Sequence, residues 1–188
     1  MSKTIVVFSG PSGAGKSTLI RHILSEFKDR IGLTVSCTTR PKREREIPGV
    51  DYWFISNEKF DEHIKNNDFI EYVECYGNRY GTLKSAVQDV LNRCDICVLD
   101  LDYVGSYKVL SGKLLDYKTV GILVLPASLK KWKQRLIDRN SETEESLKIR
   151  ITESFNIDKI SYYDHILLNG SIDKAKQEIS DIVMGMLD

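Results

Sequence analysis

Short apolar runs alternate along this chain with segments in which apolar residues recur every three or four positions. The runs predict β-strands, and those beginning at residues 5, 96 and 120 are mostly apolar, as in strands buried on both faces of a parallel sheet. The predicted strands span residues 5–8, 33–38, 52–55, 69–75, 96–102, 120–125 and 166–168. The predicted helices are 18–24, a segment with Phe60 and Ile64 inward that ends near residue 66, 83–91, 128–139, 143–160, and a last segment with Ala175, Ile179, Ile182 and Met186 inward. Strands that alternate with helices in this way predict an α/β fold with a mostly parallel central sheet.

Length and charge narrow the class of protein. A chain of 188 residues suits one compact domain. Lysine plus arginine and aspartate plus glutamate are both 27, so no net field favours nucleic acid or an anionic membrane. No apolar run has the length of a membrane span, and the first strand begins too early to leave room for a signal peptide. We therefore expect a cytoplasmic protein that binds neither nucleic acid nor membrane.

A phosphate-binding loop is predicted between the first strand and the first helix. Residues 10–17 read G-P-S-G-A-G-K-S, which fits the pattern G-x-x-x-x-G-K-[S/T] in the strand–loop–helix setting that the motif requires. Glycines let successive N–H groups converge on an anion, and the helix that starts there adds its positive end. Lys16 would reach the β- and γ-phosphates, and the Ser17 hydroxyl would bind Mg²⁺. The alternative, a purely structural glycine turn, is disfavoured by the lysine, the serine and the preceding strand.

A loop rich in charged residues is a candidate site for an anion. Arg40 and Arg43 flank a proline in a loop that follows a strand, which suits two guanidinium groups that hold one dianion. The alternative, a solvated basic loop or a nucleic-acid patch, is weakened by the interleaved Glu44 and Glu46.

Strand alternation places Glu71 on the apolar face of Phe69, Val73 and Cys75. A charge on such a face is costly without partners, so Glu71 needs hydrogen-bond donors.

Several motifs together resemble guanylate kinases, in the family's order and over essentially the whole chain. They lie at residues 36–43, 49–54, 77–82, 99–102 and 135–145. The resemblance implies a P-loop NTPase fold, a three-layer α/β/α core with a mostly parallel central sheet, carrying a GMP-binding subdomain and a lid. The implied core is about 1–32, 87–126 and 157–188, the GMP-binding subdomain about 33–86, and the lid about 127–156. The implied reaction is ATP + GMP → ADP + GDP with Mg²⁺, in purine nucleotide metabolism.

The resemblance also assigns site residues. The catalytic group would be Lys16, Arg40, Arg135, Arg139 and Arg150. ATP would contact Gly10, Pro11, Ser12, Gly13, Ala14, Gly15, Lys16, Ser17, Thr18 and Asn169, with Ser17 also the Mg²⁺ ligand. GMP or dGMP would contact Ser36, Arg40, Arg43, Tyr52, Glu71, Tyr80, Thr82, Asp100 and Asp102, with Glu71 accepting from the guanine base.

Three residues depart from the family pattern. Arg79 replaces a tyrosine and is expected to add a positive charge near the acceptor site. Val104 replaces a glutamine and Asn140 replaces a glycine.

Two other functions stay open, namely a kinase for another phosphorylated acceptor such as a ribose bisphosphate, and a binding module without catalysis that recognises protein ligands. Both a monomer and a homodimer fit the sequence.

Overall fold

The structure is a computed structural model that describes residues 3–75, 77–112, 117–128, 130, 132 and 157–188. The strands in chain order are β1 (Thr4–Ser9), β2 (Ile31–Leu33), β3 (Cys37–Thr38), β4 (Trp53–Phe54), β5 (Phe69–Cys75), β6 (Asn78–Leu83), β7 (Ile96–Asp100), β8 (Lys118–Pro126) and β9 (His165–Asn169). The helices are α1 (Lys16–Glu26), α2 (Asn57–Lys65), α3 (Lys84–Leu91), α4 (Tyr103–Ser111) and α5 (Ile172–Leu187), and a 3₁₀ helix spans Ile157–Tyr162. Among the described helices, none combines the length and apolar character needed to cross a membrane.

The central sheet has the strand order β2-β7-β1-β8-β9, and all its pairs are parallel. Every residue of β1 is buried, because helices cover both faces of this central strand. Val6 and Phe8 face the layer of α1 and α5, whereas Ile5 and Val7 face the layer of α3 and α4. The predicted fold class, an α/β domain with a mostly parallel sheet between helical layers, is confirmed.

A second sheet of four strands, in the order β4-β3-β6-β5, is formed entirely by residues between 37 and 83. The pairs of β6 with β3 and with β5 are antiparallel. Phe60 of α2 packs on Phe69 with ring centroids 4.5 Å apart, so the helix covers one face of this sheet. The proposed division of the chain into core, subdomain and lid stays a prediction.

The predicted single strand at 33–38 is wrong. Thr34 makes the last contact with the central sheet, through its N–H to Val98 O at 3.0 Å. The chain then leaves that sheet, and β3 begins in the second sheet at Cys37. One apolar stretch therefore serves two sheets, which apolar pattern alone does not reveal.

Two described elements are absent from the sequence-based prediction. β6 follows the turn at Gly77, whose φ of 70° suits glycine. α4 begins after Asp102, whose carboxylate accepts from Gly105 N at 2.7 Å. An aspartate three residues before the amide that it caps is a helix-start signal, so α4 could have been predicted from this residue.

Candidate active site

The phosphate loop joins β1 to α1 and depends on three glycines with positive φ. Gly10, Gly13 and Gly15 have φ of 135°, 79° and 102°, which side chains with a Cβ rarely adopt. A Cβ on residue 10 would also overlap the carbonyl oxygen of Val124 in β8. The sequence therefore curls tightly between β1 and α1 because glycine stands at each of these positions.

Lys16 and Asp100 meet beside this loop. Lys16 Nζ donates to Gly10 O at 2.8 Å and lies 3.8 Å from Asp100 Oδ1. Asp100 ends β7 next to β1, where parallel strands present their carboxyl ends to ligands. Although its side chain is 37% exposed, desolvation by the surrounding protein raises the pKa of Asp100, against an opposing effect of Lys16. The structure thus brings together a cation and a carboxylate that are 84 positions apart in the sequence.

Two buried side chains from distant segments bind the loop. Trp132 Nε1 donates to Ser12 O at 2.8 Å, and Asn169 Nδ2 donates to Ala14 O at 2.7 Å. Only 1% of Trp132 and 4% of Asn169 is exposed. Sequence reasoning did not identify Trp132 as a contact of the loop. The predicted contact of Asn169 with the ATP base stays a prediction, whereas its contact with the loop is new.

Glu71, Thr82 and Ser36 form a hydrogen-bonded chain at the other end of the site. Thr82 Oγ1 donates to Glu71 Oε1 at 2.8 Å, and Ser36 Oγ lies 3.0 Å from Thr82 Oγ1. Because the single Thr82 proton goes to Glu71, we infer that Ser36 donates to Thr82. Burial raises the pKa of Glu71 to about 7, with a smaller contribution from Asp102, while the hydrogen bond from Thr82 opposes the shift. At neutral pH the protonated and ionised forms of Glu71 are therefore both populated.

The bulge in β5 decides which side chains surround Glu71. The register with β6 shifts between Phe69 and Glu71, so the prediction that these two residues share a face is wrong. Phe69 packs beside Tyr72 on the α2 side, with ring centroids 5.7 Å apart. Glu71 lies on the opposite face, opposite Thr82 in the register. The extra residue of the bulge turns the Glu71 carboxylate away from Phe69 and Tyr72 and toward its donor, Thr82.

The second carboxylate oxygen of Glu71 approaches the first turn of α4. A Cβ on residue 105 would lie 2.9 Å from Glu71 Oε2 and 3.3 Å from Asp102 Oδ1. A methyl group at position 105 would therefore displace the end of the Glu71 side chain, although the backbone conformation there does not demand glycine. The closeness of Gly105 to Glu71 was not predicted from the sequence, because nothing local indicates that Glu71 lies against it.

Arg40 is held by a partner within its own loop. Its guanidinium forms a bidentate pair with Glu46, with Nη2–Oε1 2.7 Å and Nη1–Oε2 3.0 Å. The same Glu46 carboxylate accepts from Arg43 N at 2.8 Å, and Arg40 lowers the pKa of Glu46. Arg40 lies 5.7 Å from the ring of Tyr52, which lies 5.9 Å from the ring of Tyr80. A cation and two phenols thus converge, while the Arg43 side chain is exposed.

Comparisons with known proteins identify the family to which this chain is similar. A family model described as guanylate kinase matches residues 2–185. A guanylate kinase of Clostridium perfringens is 40% identical over 181 residues, which cover 96% of this chain and 82% of that protein. A guanylate kinase of Homo sapiens is 42% identical over 180 residues, which cover 94% of this chain and 90% of that one.

The chain belongs to the guanylate kinase family.

A solved structure supports the same assignment. The crystal structure of guanylate kinase from Anaplasma phagocytophilum matches with a TM-score of 0.71 and 25% identity, covering 98% of this chain and 86% of that chain. The predicted P-loop NTPase fold of this guanylate kinase family member is therefore confirmed.

Arg79 does not serve the acceptor site of this guanylate kinase family member. Its guanidinium pairs with Asp61, donates to Asn57 O at 2.9 Å and lies 4.7 Å from the Phe60 ring. All three partners belong to α2, on the face of β6 opposite to Tyr80. The expected extra positive charge near the acceptor is wrong, because side chains alternate along β6 and Arg79 points to the helix.

Several predicted positions lie outside the described residues. They are Arg135, Arg139, Asn140 and Arg150. Most of the predicted helix at 128–139 and most of the one at 143–160 also lie there. Their roles in this guanylate kinase family member stay predictions.

Proposed function

We propose that this chain transfers the γ-phosphoryl group of ATP to GMP or dGMP, which yields ADP and the nucleoside diphosphate, with Mg²⁺ bound. Membership of the guanylate kinase family supports the reaction. The single observation that carries the choice of GMP is the Glu71 carboxylate, which is 5% exposed and is held between Thr82 and Gly105.

Guanine offers Glu71 two adjacent donors, its N1–H and its N2 amino group. The hydrogen bonds that Thr82 makes to this buried carboxylate leave acceptor capacity for a ligand, and unsatisfied capacity costs free energy. Donation from guanine to Glu71 removes that cost and stabilises the ionised form. Ser36 and Thr82 orient the carboxylate. Asp102, whose Oδ1 lies beside Gly105 as Glu71 Oε2 does, is proposed to join the recognition of the base.

The GMP phosphate is assigned to Arg40, Arg43, Tyr52 and Tyr80. The guanidinium of Arg40 and the two phenols converge in the structure, which supports one anion site. We propose that Arg43 turns inward from its exposed position when GMP binds. The acceptor oxygen is already ionised at neutral pH, so no general base is needed, and catalysis rests on positioning and charge neutralisation.

The ATP phosphates are assigned to the loop at 10–15, together with Lys16, Ser17 and Thr18. Lys16 lies beside the loop and Asp100, where it would neutralise charge on the transferred group. Arg135, Arg139 and Arg150 are proposed to supply further positive charge from the lid at about 127–156. Closure of the lid and of the GMP-binding subdomain at about 33–86 onto the core would exclude water.

The oxygen donors beside the loop fit Mg²⁺. Ser17, which carries a hydroxyl group, is next to Lys16 in the sequence. The Asp100 carboxylate lies 3.8 Å from Lys16 Nζ. Hydroxyl and carboxylate oxygens suit this hard cation, which takes most of its ligands from phosphates and water. No group of three His, Cys, Asp or Glu side chains that could hold a metal ion occurs in the part of the chain that the structure describes. When bound, Mg²⁺ would neutralise charge on the β- and γ-phosphates.

A coupled assay of ADP formation, with each nucleoside monophosphate as acceptor, tests this proposal. We expect GMP and dGMP to be preferred over AMP, CMP and UMP by roughly 10⁴, as is typical of sites that reject an analogue by leaving buried polar groups unpaired. The matched variants are Glu71→Gln and Glu74→Gln, since Glu74 is on the same strand but exposed. Comparable use of AMP, or full GMP selectivity in Glu71→Gln, would contradict the proposal. A ribose bisphosphate assayed in parallel tests the rival acceptor.

A further inference from the structure

Four carbonyl groups of the phosphate loop, those of Gly10, Pro11, Ser12 and Ala14, each accept a hydrogen bond from the protein. Two donors are local, namely Lys16 Nζ on Gly10 O at 2.8 Å and Ala14 N on Pro11 O at 3.1 Å. The other two, Trp132 on Ser12 O and Asn169 on Ala14 O, come from 120 and 155 positions further along the chain. The loop is therefore held from outside as well as from within.

The two distant donors act on the peptides that precede Gly13 and Gly15. A peptide unit is planar and trans, so the direction of C=O at one residue fixes the opposite direction of N–H at the next. Binding Ser12 O thus fixes Gly13 N–H, and binding Ala14 O fixes Gly15 N–H. Glycine has the widest choice of backbone conformation, so these two peptides are the ones that need an external restraint.

The donors reach the loop from neighbouring strand ends. Asn169 ends β9, where it is paired in register with Pro126 at the end of β8. Its amide lies where a Cβ of residue 15 would be, so only glycine at that position admits it. Trp132 comes six residues after the end of β8, and its backbone N–H donates to Ser128 O at 2.9 Å. Asn169 is therefore held by its strand, and Trp132 by its hydrogen bond to Ser128.

We propose that Trp132 and Asn169 are positioning residues that fix the Gly13 and Gly15 N–H groups toward the phosphates of the donor nucleotide. The inference rests on the proposed function in that it takes the loop to bind the phosphates of ATP. It assigns Asn169 an action on the loop that is independent of the base. Neither side chain needs to touch the nucleotide for this role.

Two substitutions remove the donors and keep the shape. Trp132→Phe removes the indole N–H but keeps an aromatic ring, and Asn169→Leu removes the amide at similar volume. The matched controls are Trp53→Phe and Asn92→Leu, because Trp53 is 51% exposed and Asn92 is exposed at the end of α3. Dissociation constants are measured for ATP and for inorganic tripolyphosphate, which has the charge of ATP but no base, and for GMP.

We expect each variant to bind ATP and tripolyphosphate more weakly by the same factor, roughly two- to tenfold, the effect of one buried hydrogen bond. GMP binding and the controls should be unchanged. In amide spectra, Trp132→Phe should move the Gly13 resonance most and Asn169→Leu the Gly15 resonance, a pattern that general destabilisation would not produce. Should Asn169→Leu fail to fold, Asn169→Asp keeps the shape and replaces the donor with an oxygen.

Unchanged binding of ATP and tripolyphosphate in both variants would overturn the proposal. If Asn169→Leu weakened ATP but not tripolyphosphate, Asn169 would act through the base, and its positioning role would be wrong. Phosphorylation of GMP by the wild-type protein is measured separately. Its failure would remove the proposed function, while the tripolyphosphate data would still decide the role of these two residues.

Discussion

Glu71 and Gly105 approach so closely that a Cβ on residue 105 would lie 2.9 Å from Glu71 Oε2. The two residues are far apart in the sequence and meet because α4 starts beside β5. Since the nearest atom is the end of a side chain, a methyl group would move the carboxylate rather than the backbone. The position of the proposed guanine acceptor therefore depends on the absence of a side chain at residue 105.

Gly105→Ala should accordingly lower kcat/KM for GMP by roughly 10- to 100-fold, because a displacement of about 1 Å at a binding group has effects of this size. The KM for ATP should change little. Initial rates with each substrate varied in turn measure both quantities. Gly185→Ala is the matched control, since a Cβ there would meet nothing within 4 Å. Equal GMP kinetics in the two variants would show that Glu71 tolerates the methyl group.

Arg79→Ala should destabilise the protein without changing the KM for GMP. The Arg79 guanidinium, whose side chain is 19% exposed, lies on the Phe60 ring and pairs with the exposed Asp61. An exposed ion pair contributes little, so we expect a loss of about 1 kcal/mol, mainly from the ring contact, or a Tm lower by roughly 2–4 °C. Differential scanning calorimetry and GMP kinetics test this together. A large increase in the KM for GMP would return Arg79 to the acceptor site.

Glu71 and Arg79 also show what can and cannot be predicted from the sequence. The strand at 5–8, the glycine loop and the helix after it follow from local pattern, because motif and periodicity lie within one stretch of chain. The faces of Phe69 and Arg79 depend on a bulge and on the pairing of β5 with β6. The contact of Glu71 with Gly105 depends on tertiary packing. Family resemblance indicated Glu71 as the residue that would accept hydrogen bonds from guanine. It did not indicate the hydrogen bonds from Thr82 and Ser36 or the close approach of Gly105.

Lys16→Ala should lower kcat by roughly 10²–10³ and leave the fold intact, because loss of one electrostatic contact to the transition state has effects of this size. Lys16 also donates to Gly10 O, so a modest rise in the KM for ATP is expected as well. Lys28→Ala, at an exposed lysine beyond the end of α1, is the control. Single-turnover rates and Tm are measured for both variants. Turnover near that of the wild type would contradict the proposed role of the loop lysine.

Glu71→Gln should stabilise the free protein at alkaline pH. Burial raises the pKa of Glu71 to about 7, above the usual value of about 4.3, so the folded state binds more protons between these pH values. Wild-type stability should therefore fall as pH rises from about 4.3 to 7, by at most about 4 kcal/mol. The variant lacks this loss, so its advantage in urea unfolding should grow between pH 5 and 8. An advantage that does not change with pH would show that Glu71 ionises normally.

The same carboxylate should make GMP binding depend on pH. Guanine donates two N–H groups, so GMP selects ionised Glu71, and below pH 7 the free protein must first lose a proton. The affinity for GMP should therefore fall by up to about tenfold per pH unit below 7, a limit set by the release of one proton. The GMP phosphate also titrates in this pH range. Its effect is the same for the wild type and for Glu71→Gln, but only the wild type has a carboxylate at position 71. The ratio of the two dissociation constants, measured by calorimetry from pH 5.5 to 8.5, isolates Glu71. A constant ratio would mean that protonated Glu71 binds the base equally well, and the argument that the carboxylate selects guanine by accepting two hydrogen bonds would then fail.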